Sequence, residues 1–173
     1  AKWTMTASDK LLLEAGYSTN IEIYTNHSVD PTLKKERGTA AWYATPVKTD
    51  LDLGTTWFAA ADTSTGPERY VIQGSMTYVN GTHNIKGGFQ RTWGPFNHTS
   101  DRNADLVQRY RSGVPDSVVV YNTPRWYQER LNYDLGLFIQ DSWTIKRLTI
   151  NPGLRWEVLN GQNTGTVSGA GRF

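Results

Sequence analysis

The sequence predicts an all-β chain of antiparallel up-and-down strands that forms a segment of a large transmembrane β-barrel. Apolar and polar residues alternate with a period of two in six segments, as in strands with one apolar face. The longer segments reach about twelve residues, near the ~9–11 residues that a tilted strand needs to cross a bilayer. Short and long connections also alternate along the chain, as they do in membrane barrels.

The hairpin at residues 131–159 has the clearest alternation. In its first arm, Leu135, Leu137 and Ile139 fall on one face, and we expect all three to face lipid. A polar turn at Thr144–Arg147 leads into a second arm with the same period. The apolar positions of that arm are Leu148, Ile150, Pro152, Leu154, Trp156 and Val158.

Two further hairpins are predicted at residues 2–24 and 70–93. Their short turns lie at Ser8–Lys10 and at Asn80–His83, where Asn80-Gly81 is typical of a tight hairpin turn. Arg91 is a misfit on the apolar face of the second hairpin, which is tolerable near a bilayer interface because charges cost little there.

Long loops are predicted at residues 25–69, 94–130 and 160–173, which are rich in turn-forming residues. Short strands are expected within them at Ala41–Ala44, Thr55–Ala59 and Ser117–Asn122. Six long strands are fewer than the ~8 that a closed single-chain barrel needs. The strands near Lys2–Ala7 and Leu148–Leu159 are therefore expected to be edges that pair with further sequence.

Composition excludes several classes of protein. The net charge is only +2 and the basic residues are scattered, which argues against nucleic-acid binding. No apolar run approaches the ~18 residues of a membrane helix. There is no cysteine for disulfides or thiolate chemistry. Residues 1–6 do not resemble a signal peptide, so we expect either a processed chain or an internal piece.

No catalytic or metal-binding motif emerges, and we expect neither enzymatic activity nor a cofactor. The histidines His27, His83 and His98 lie singly in predicted loops or turns. The residues Asp101, Asn103 and Asp105 have the first spacing of a calcium loop, but the glycine and glutamate that complete such a loop are missing. We interpret this segment as a polar surface loop.

Aromatic residues fall into two predicted groups. Interfacial belts form because amphipathic rings favour membrane interfaces, and the candidates on apolar faces are Tyr17, Tyr78, Trp93, Tyr133, Trp143 and Trp156. Other residues lie in the long loops, where they would either meet a ligand from outside or pack within the loops. These ligand-loop candidates are Trp42, Tyr43, Arg109, Tyr110, Arg111 and Trp126.

The segment LGLFIQDSWTIKRLTINPGLRWE, and more weakly the one at Thr77–Gln90, resembles TonB-dependent outer-membrane receptors, most of all their Oar-like branch. The resemblance is carried by Gln140, Asp141, Ser142, Trp143, Leu148, Thr149, Asn151, Gly153, Leu154, Arg155, Trp156 and Glu157.

This resemblance implies a place in the outer membrane of a Gram-negative cell and a role in nutrient uptake. The implied partners are outer-membrane lipid, the remainder of the receptor chain with its plug and other strands, and TonB, which contacts the missing plug. Two alternatives stay open: a structural or adhesive protein of the Oar-like type, and a soluble secreted carbohydrate-binding β-domain.

Overall fold

The computed structural model describes residues 1–27, 30–58, 61–166 and 173. The chain divides into two compact units. The long-strand unit comprises residues 1–22, 67–95 and 129–163, and the loop unit comprises residues 23–66, 96–128 and 164–173.

Strands dominate both units. In chain order they are β1 (Lys2–Ser8), β2 (Leu11–Ile21), β3 (Tyr24–Asn26), β4 (Val47–Asp50), β5 (Thr55–Trp57), β6 (Ala61–Asn80), β7 (His83–Arg102), β8 (Leu106–Arg111), β9 (Val114–Val120), β10 (Arg125–Ile145), β11 (Leu148–Ile150) and β12 (Gly153–Asn163). One short helix, α1 (Ala40–Ala44), and 3₁₀ turns at Pro31–Leu33 and Asn103–Asp105 complete the described elements. No helix in the described ranges is both long and apolar enough to cross a membrane.

The long-strand unit is built on one antiparallel sheet in the order β1-β2-β6-β7-β10, and β10 also pairs with β11 and β12. Tight turns at Asp9–Lys10, Gly81–Thr82 and Lys146–Arg147 join β1 to β2, β6 to β7 and β10 to β11. Among the described strands, β1 pairs only with β2 and β12 only with β10. The predicted all-β, antiparallel fold is confirmed, and the sheet is open at these two edges.

The strand register gives the sheet two chemically different faces. Leu13 lies opposite Met76, and Ile139 lies opposite Leu154. Directly paired residues project on the same side of a sheet, so these apolar pairs share a face. Glu14 lies opposite Ser75 on the other face, as the predicted period of two requires.

Several strands run further than the sequence pattern indicates. β6 begins at Ala61 rather than Tyr70, β7 ends at Arg102 rather than Trp93, and β10 begins at Arg125 rather than Leu131. The added segments carry polar residues on both faces, so they lack the alternation by which a half-buried strand is recognised. Backbone pairing nevertheless forms strand structure there. In β6, for example, the added segment pairs with β3.

The expected strand at Ala41–Ala44 is wrong, because α1 occupies this segment. Alanine is the strongest helix former, and the hydroxyl of Thr39 caps the helix by accepting from the Trp42 backbone N–H. The strand expected at Thr55–Ala59 is found at Thr55–Trp57, and Ala59 lies outside the described residues. The strand expected at Ser117–Asn122 is found as β9, three residues earlier at its start.

The loop unit contains its own buried core and a second sheet in the order β5-β4-β8-β9, in which β4 and β8 run parallel. Among the described residues, the buried hydrophobic side chains are Trp42, Val47 and Ala104, and all three belong to this unit. The apolar side chains of the long-strand unit therefore have no comparable core within the described chain.

Candidate membrane-facing surface and loop cleft

One face of the long-strand sheet exposes large apolar side chains. On β10 and β12, Leu137, Ile139 and Leu154 expose 44%, 56% and 72% of their surface. Trp3 and Met5 on β1 and Met76 on β6 are exposed in the same way. Contiguous apolar patches larger than a few hundred Å² are rare on soluble monomers, and such patches mark a surface that meets lipid or another protein.

At the short-turn end of this face, Trp143 stacks on His83 with ring centroids 5.2 Å apart. His83 is held in place by the Asp141 carboxylate, whose Oδ2 lies 2.6 Å from its Nδ1. Asp141 also accepts a hydrogen bond from the backbone N–H of Asn84 at 3.1 Å. Tyr78 is half-exposed at the same end of β6. Sequence reasoning missed the role of His83, because its partner lies 58 residues away.

At the other end, Trp93 stacks on Tyr70 with centroids 5.8 Å apart. The guanidinium of Arg91 lies 5.3 Å from the centre of the Trp93 ring. This cation–π contact explains how a charged residue is accommodated on the apolar face, because a long side chain can rest its stem on apolar surface and keep its charge near water. Tyr17 pairs with Ile72 in the same region of the sheet.

The spacing of two of the predicted interfacial residues, Tyr133 and Trp143, matches the height of a membrane band. Tyr133 and Trp143 lie ten residues apart on β10. At ~3.4 Å per residue and a tilt of ~40°, they are separated by about 26 Å along the membrane normal, close to the ~25 Å apolar band of outer-membrane barrels. Trp156 pairs with Leu137, so it lies nearer the middle of the strand than Tyr133 does. The assignment of the six aromatic residues to two belts stays a prediction.

The opposite face of the sheet is polar and carries charges in pairs. Glu14 accepts from Lys2 at 2.9 Å and from Lys86 at 3.1 Å, and the Ser75 hydroxyl lies 3.3 Å away. These residues border a cleft of about 270 Å³. Further along the sheet, Arg155 and Glu157 form another ion pair. Acids and bases thus form ion pairs on this face.

Close packing between strands requires glycine at some positions. A Cβ atom on Gly88 would lie 2.4 Å from the backbone carbonyl oxygen of Gly74 and 2.9 Å from the ring of Phe138. On the adjacent Gly87, the nearest atom would be at 3.6 Å, which is an ordinary contact. The two neighbouring glycines therefore differ sharply in the space around them.

The predicted ligand-loop residues occupy different environments. Trp42 is only 3% exposed, lies under the Arg37 guanidinium at 4.8 Å, and meets Tyr43 edge-on. Arg111 forms ion pairs with Asp52 at 3.0 Å and with Asp116 at 3.3 Å. Tyr110 packs against Trp57, Arg109 is exposed, and Trp126 is 53% exposed. The six residues do not form one cluster, and their role in binding stays a prediction.

A buried polar hub organises the loop unit around Asp105, which is 2% exposed. Arg37 donates to Asp105 at 2.8 and 3.2 Å, to Asp101 at 2.7 Å and to the Thr123 hydroxyl at 2.9 Å. Thr123 in turn donates to Asp105 through its hydroxyl. Asn103 donates to the backbone carbonyl oxygen of Leu33. The acidic positions that have calcium-loop spacing, Asp101 and Asp105, are thus paired with an arginine that lies 64 and 68 residues away.

Asp50 closes a second polar centre at the end of β4. Its carboxylate accepts backbone N–H bonds from Asp52, Leu53, Ser112 and Gly113 at 2.7–3.2 Å. Burial alone would raise the pKa of Asp50, but the four N–H donors favour the charged form and the net pKa lies below its usual value. Asp50 therefore fixes two turns in its ionised form.

A cleft of about 430 Å³ opens in the loop unit, and this loop cleft contains Trp126. In this cleft, the Asp62 carboxylate forms an ion pair with Lys34, and its Oδ1 lies 3.5 Å from Nδ1 of His27. The hydrogen bond to Asp62 raises the pKa of Lys34, which keeps this side chain charged. Among the lining residues, the sequence singled out Trp126 as a ligand-loop candidate, whereas the hydroxyl residues of the lining come from distant polar segments. The cleft is lined by His27, Lys34, Asp62, Thr63, Ser64, Thr99, Ser100, Asp101, Pro124, Arg125 and Trp126.

The comparisons with known proteins give one positive result. The family model described as "TonB dependent receptor-like, beta-barrel" matches residues 3–173. No curated protein and no solved structure matches the chain significantly. The match covers both units and includes the hairpin that carries the resemblance.

Proposed function

The chain belongs to the TonB-dependent receptor-like β-barrel family, and we propose that it supplies part of the wall and the cell-surface loops of an outer-membrane receptor for nutrient uptake in a Gram-negative cell. The exposed apolar face of the long-strand sheet carries this proposal. Such a face is stable where lipid covers it, and a barrel is the form in which strands can cross a membrane with their backbone groups paired.

The open edges of the sheet support the view that this segment is completed by other strands of the receptor. Edge N–H and C=O groups in hydrocarbon each cost several kcal/mol when they are unpaired. We infer that β1 and β12 pair with the remainder of the receptor chain. The polar face then lines the lumen, where a plug domain contacts it and receives energy through TonB.

Membrane orientation is tested by labelling single cysteines in the full receptor. The chain contains no cysteine, so each introduced thiol is unique within it. We expect Arg109→Cys, in the loop unit, to react with a membrane-impermeant maleimide in intact cells. Arg147→Cys, in a short turn, should react only after the outer membrane is permeabilised. Equal labelling of both in intact cells would contradict the proposed orientation.

Uptake is tested in cells that lack the receptor and, separately, in cells that lack TonB. Both deletions should abolish growth on the same limiting nutrient, because transport and its energy supply are both required. The Oar-like structural alternative makes a different prediction: receptor loss would alter cell adhesion or envelope integrity, and growth on every nutrient tested would remain independent of TonB.

A further inference from the structure

We propose that the loop cleft is a binding subsite for a neutral sugar, in which a pyranose ring stacks on Trp126 and the hydroxyl side chains around it complete the hydrogen bonding. This inference rests on the proposed function, because it names the class of ligand that the loop unit would recognise. Four properties of the cleft lead to it: its size, its exposed indole, its hydroxyl groups and its balanced charge.

The size of the loop cleft suits a small organic ligand. Its volume of about 430 Å³ falls within the ~300–1,000 Å³ of typical small-molecule sites. Residues from three separate parts of the chain, near positions 27–34, 62–64 and 99–126, line it. A site assembled in this way can surround a ligand on several sides, which a flat loop surface cannot do.

Trp126 provides an apolar platform. Its side chain is 53% exposed although it lies within the lining of a cleft. A partly exposed indole offers a flat apolar surface together with an N–H donor. The axial C–H groups of a pyranose form a flat apolar face of matching size, so a sugar can cover this ring while its hydroxyls point to polar neighbours.

Hydroxyl side chains supply those neighbours. Thr63, Ser64, Thr99 and Ser100 all line the cleft. Residues two apart in a strand share a face, so Ser64 projects from the same side of β6 as Asp62, and Thr99 from the same side of β7 as Asp101. A hydroxyl has one proton to donate and two lone pairs that accept. These groups can therefore both donate to and accept from the hydroxyls of a sugar.

Balanced charge favours a neutral ligand. Asp62 and Asp101 are offset by Lys34 and Arg125 within the lining, so the formal charges cancel. Both carboxylates already have cationic partners: Lys34 pairs with Asp62, and Arg37 donates to Asp101 at 2.7 Å. An anionic or cationic ligand would have to compete with an existing ion pair. A neutral polyol can bond to the outer lone pairs of the same groups without displacing any of them.

The test is isothermal titration calorimetry on the full receptor in detergent. The probes are neutral disaccharides (maltose, cellobiose, lactose and trehalose), charged counterparts that contain glucuronate or glucosamine, and a neutral Gly-Ser tetrapeptide. We expect at least one neutral disaccharide to bind saturably and to bind fivefold or more tightly than its charged counterparts. Trp126→Ala should weaken that binding at least tenfold.

Trp57→Ala is the matched control, since Trp57 is a partly exposed indole of the loop unit that packs on Tyr110 and does not line the cleft. It should change the affinity less than twofold. Thr99→Val, which removes one hydroxyl and preserves the side-chain shape, should weaken binding by at least threefold. Circular dichroism should be the same for all three variants.

Each remaining outcome overturns the inference. It fails if none of the neutral disaccharides binds, if Trp126→Ala binds as tightly as the parent protein, or if the charged sugars or the tetrapeptide bind better. Its failure is distinguishable from failure of the proposed function. TonB-dependent uptake of a nutrient other than a sugar would refute the sugar subsite alone, whereas sugar binding without receptor-dependent uptake would refute the transport role alone.

Discussion

Replacing Ile139 by arginine tests the lipid-facing assignment directly. Ile139 is 56% exposed and pairs with Leu154 across the sheet. It lies four residues from Trp143 and six from Tyr133, which is about 10 Å and 16 Å from the two ends of the apolar band at ~3.4 Å per residue and a tilt of ~40°. Arginine costs ~2–4 kcal/mol at the midplane and ~0–1 kcal/mol near an interface, so this depth predicts a cost of about 2–3 kcal/mol.

Gln140→Arg is the matched control, because Gln140 is adjacent in sequence and projects from the polar face. Its expected cost is within ~0.5 kcal/mol, the usual range for surface substitutions. Both variants of the full receptor are compared by denaturant unfolding in phospholipid bilayers, with tryptophan emission as the signal. A cost for Ile139→Arg as small as that for Gln140→Arg, or equally large costs for both, would refute the assignment of the two faces.

Three further predictions concern packing and charge. Arg37→Met should destabilise the loop unit by about 2–3 kcal/mol, as measured by hydrogen exchange, because Asp105 would be left buried without its cation. This cost is below the ~3–5 kcal/mol of a fully buried ion pair, since the Arg37 side chain is 39% exposed. Gly88→Ala should lower the free energy of denaturant unfolding by ~1–3 kcal/mol, and Gly87→Ala should lower it much less, because only a methyl group at position 88 clashes with its neighbours. Equal costs for the two substitutions would contradict the strand register. The pKa of Asp50 is lowered in the folded protein, so its ionisation should stabilise the loop unit at pH values above ~3.9, the usual pKa of an aspartate. This contribution should disappear as the pH falls through the lowered pKa of the folded state. Asp50→Asn should remove that part of the pH dependence, as measured by hydrogen exchange at several pH values.

The parts of the fold that could be predicted from sequence are those where two faces of a strand meet different surroundings. Every second residue is apolar in the strands that contain the pairs Ile139–Leu154 and Leu13–Met76. These strands and their apolar face can therefore be recognised from local sequence. The short turns are equally local, because Asn80-Gly81 has the turn signal within its own dipeptide.

The loop unit could not be predicted in the same way, because its elements depend on distant partners. Thr63 and Thr99 lie in strands with polar residues on both faces, which removes the periodic signal. The hub joins Arg37 to Asp105 across 68 residues, and a single sequence contains no signal of such a pairing. For the same reason, the sequence identified Trp126 as a ligand candidate without the hydroxyl residues that surround it in the loop cleft.

The two units also differ in what stabilises them. The buried Trp42, Val47 and Ala104 give the loop unit an internal core, supported by polar centres at Asp50 and Asp105. The long-strand unit instead exposes residues such as Leu154, and its polar face pairs its charges internally, as Glu14 does. Its apolar side chains gain little free energy in water, since burial is what makes apolar surface stabilising. In the proposed receptor, transfer of that face into lipid supplies the missing burial, so the alternation that identifies these strands in the sequence would also set the environment in which they are stable.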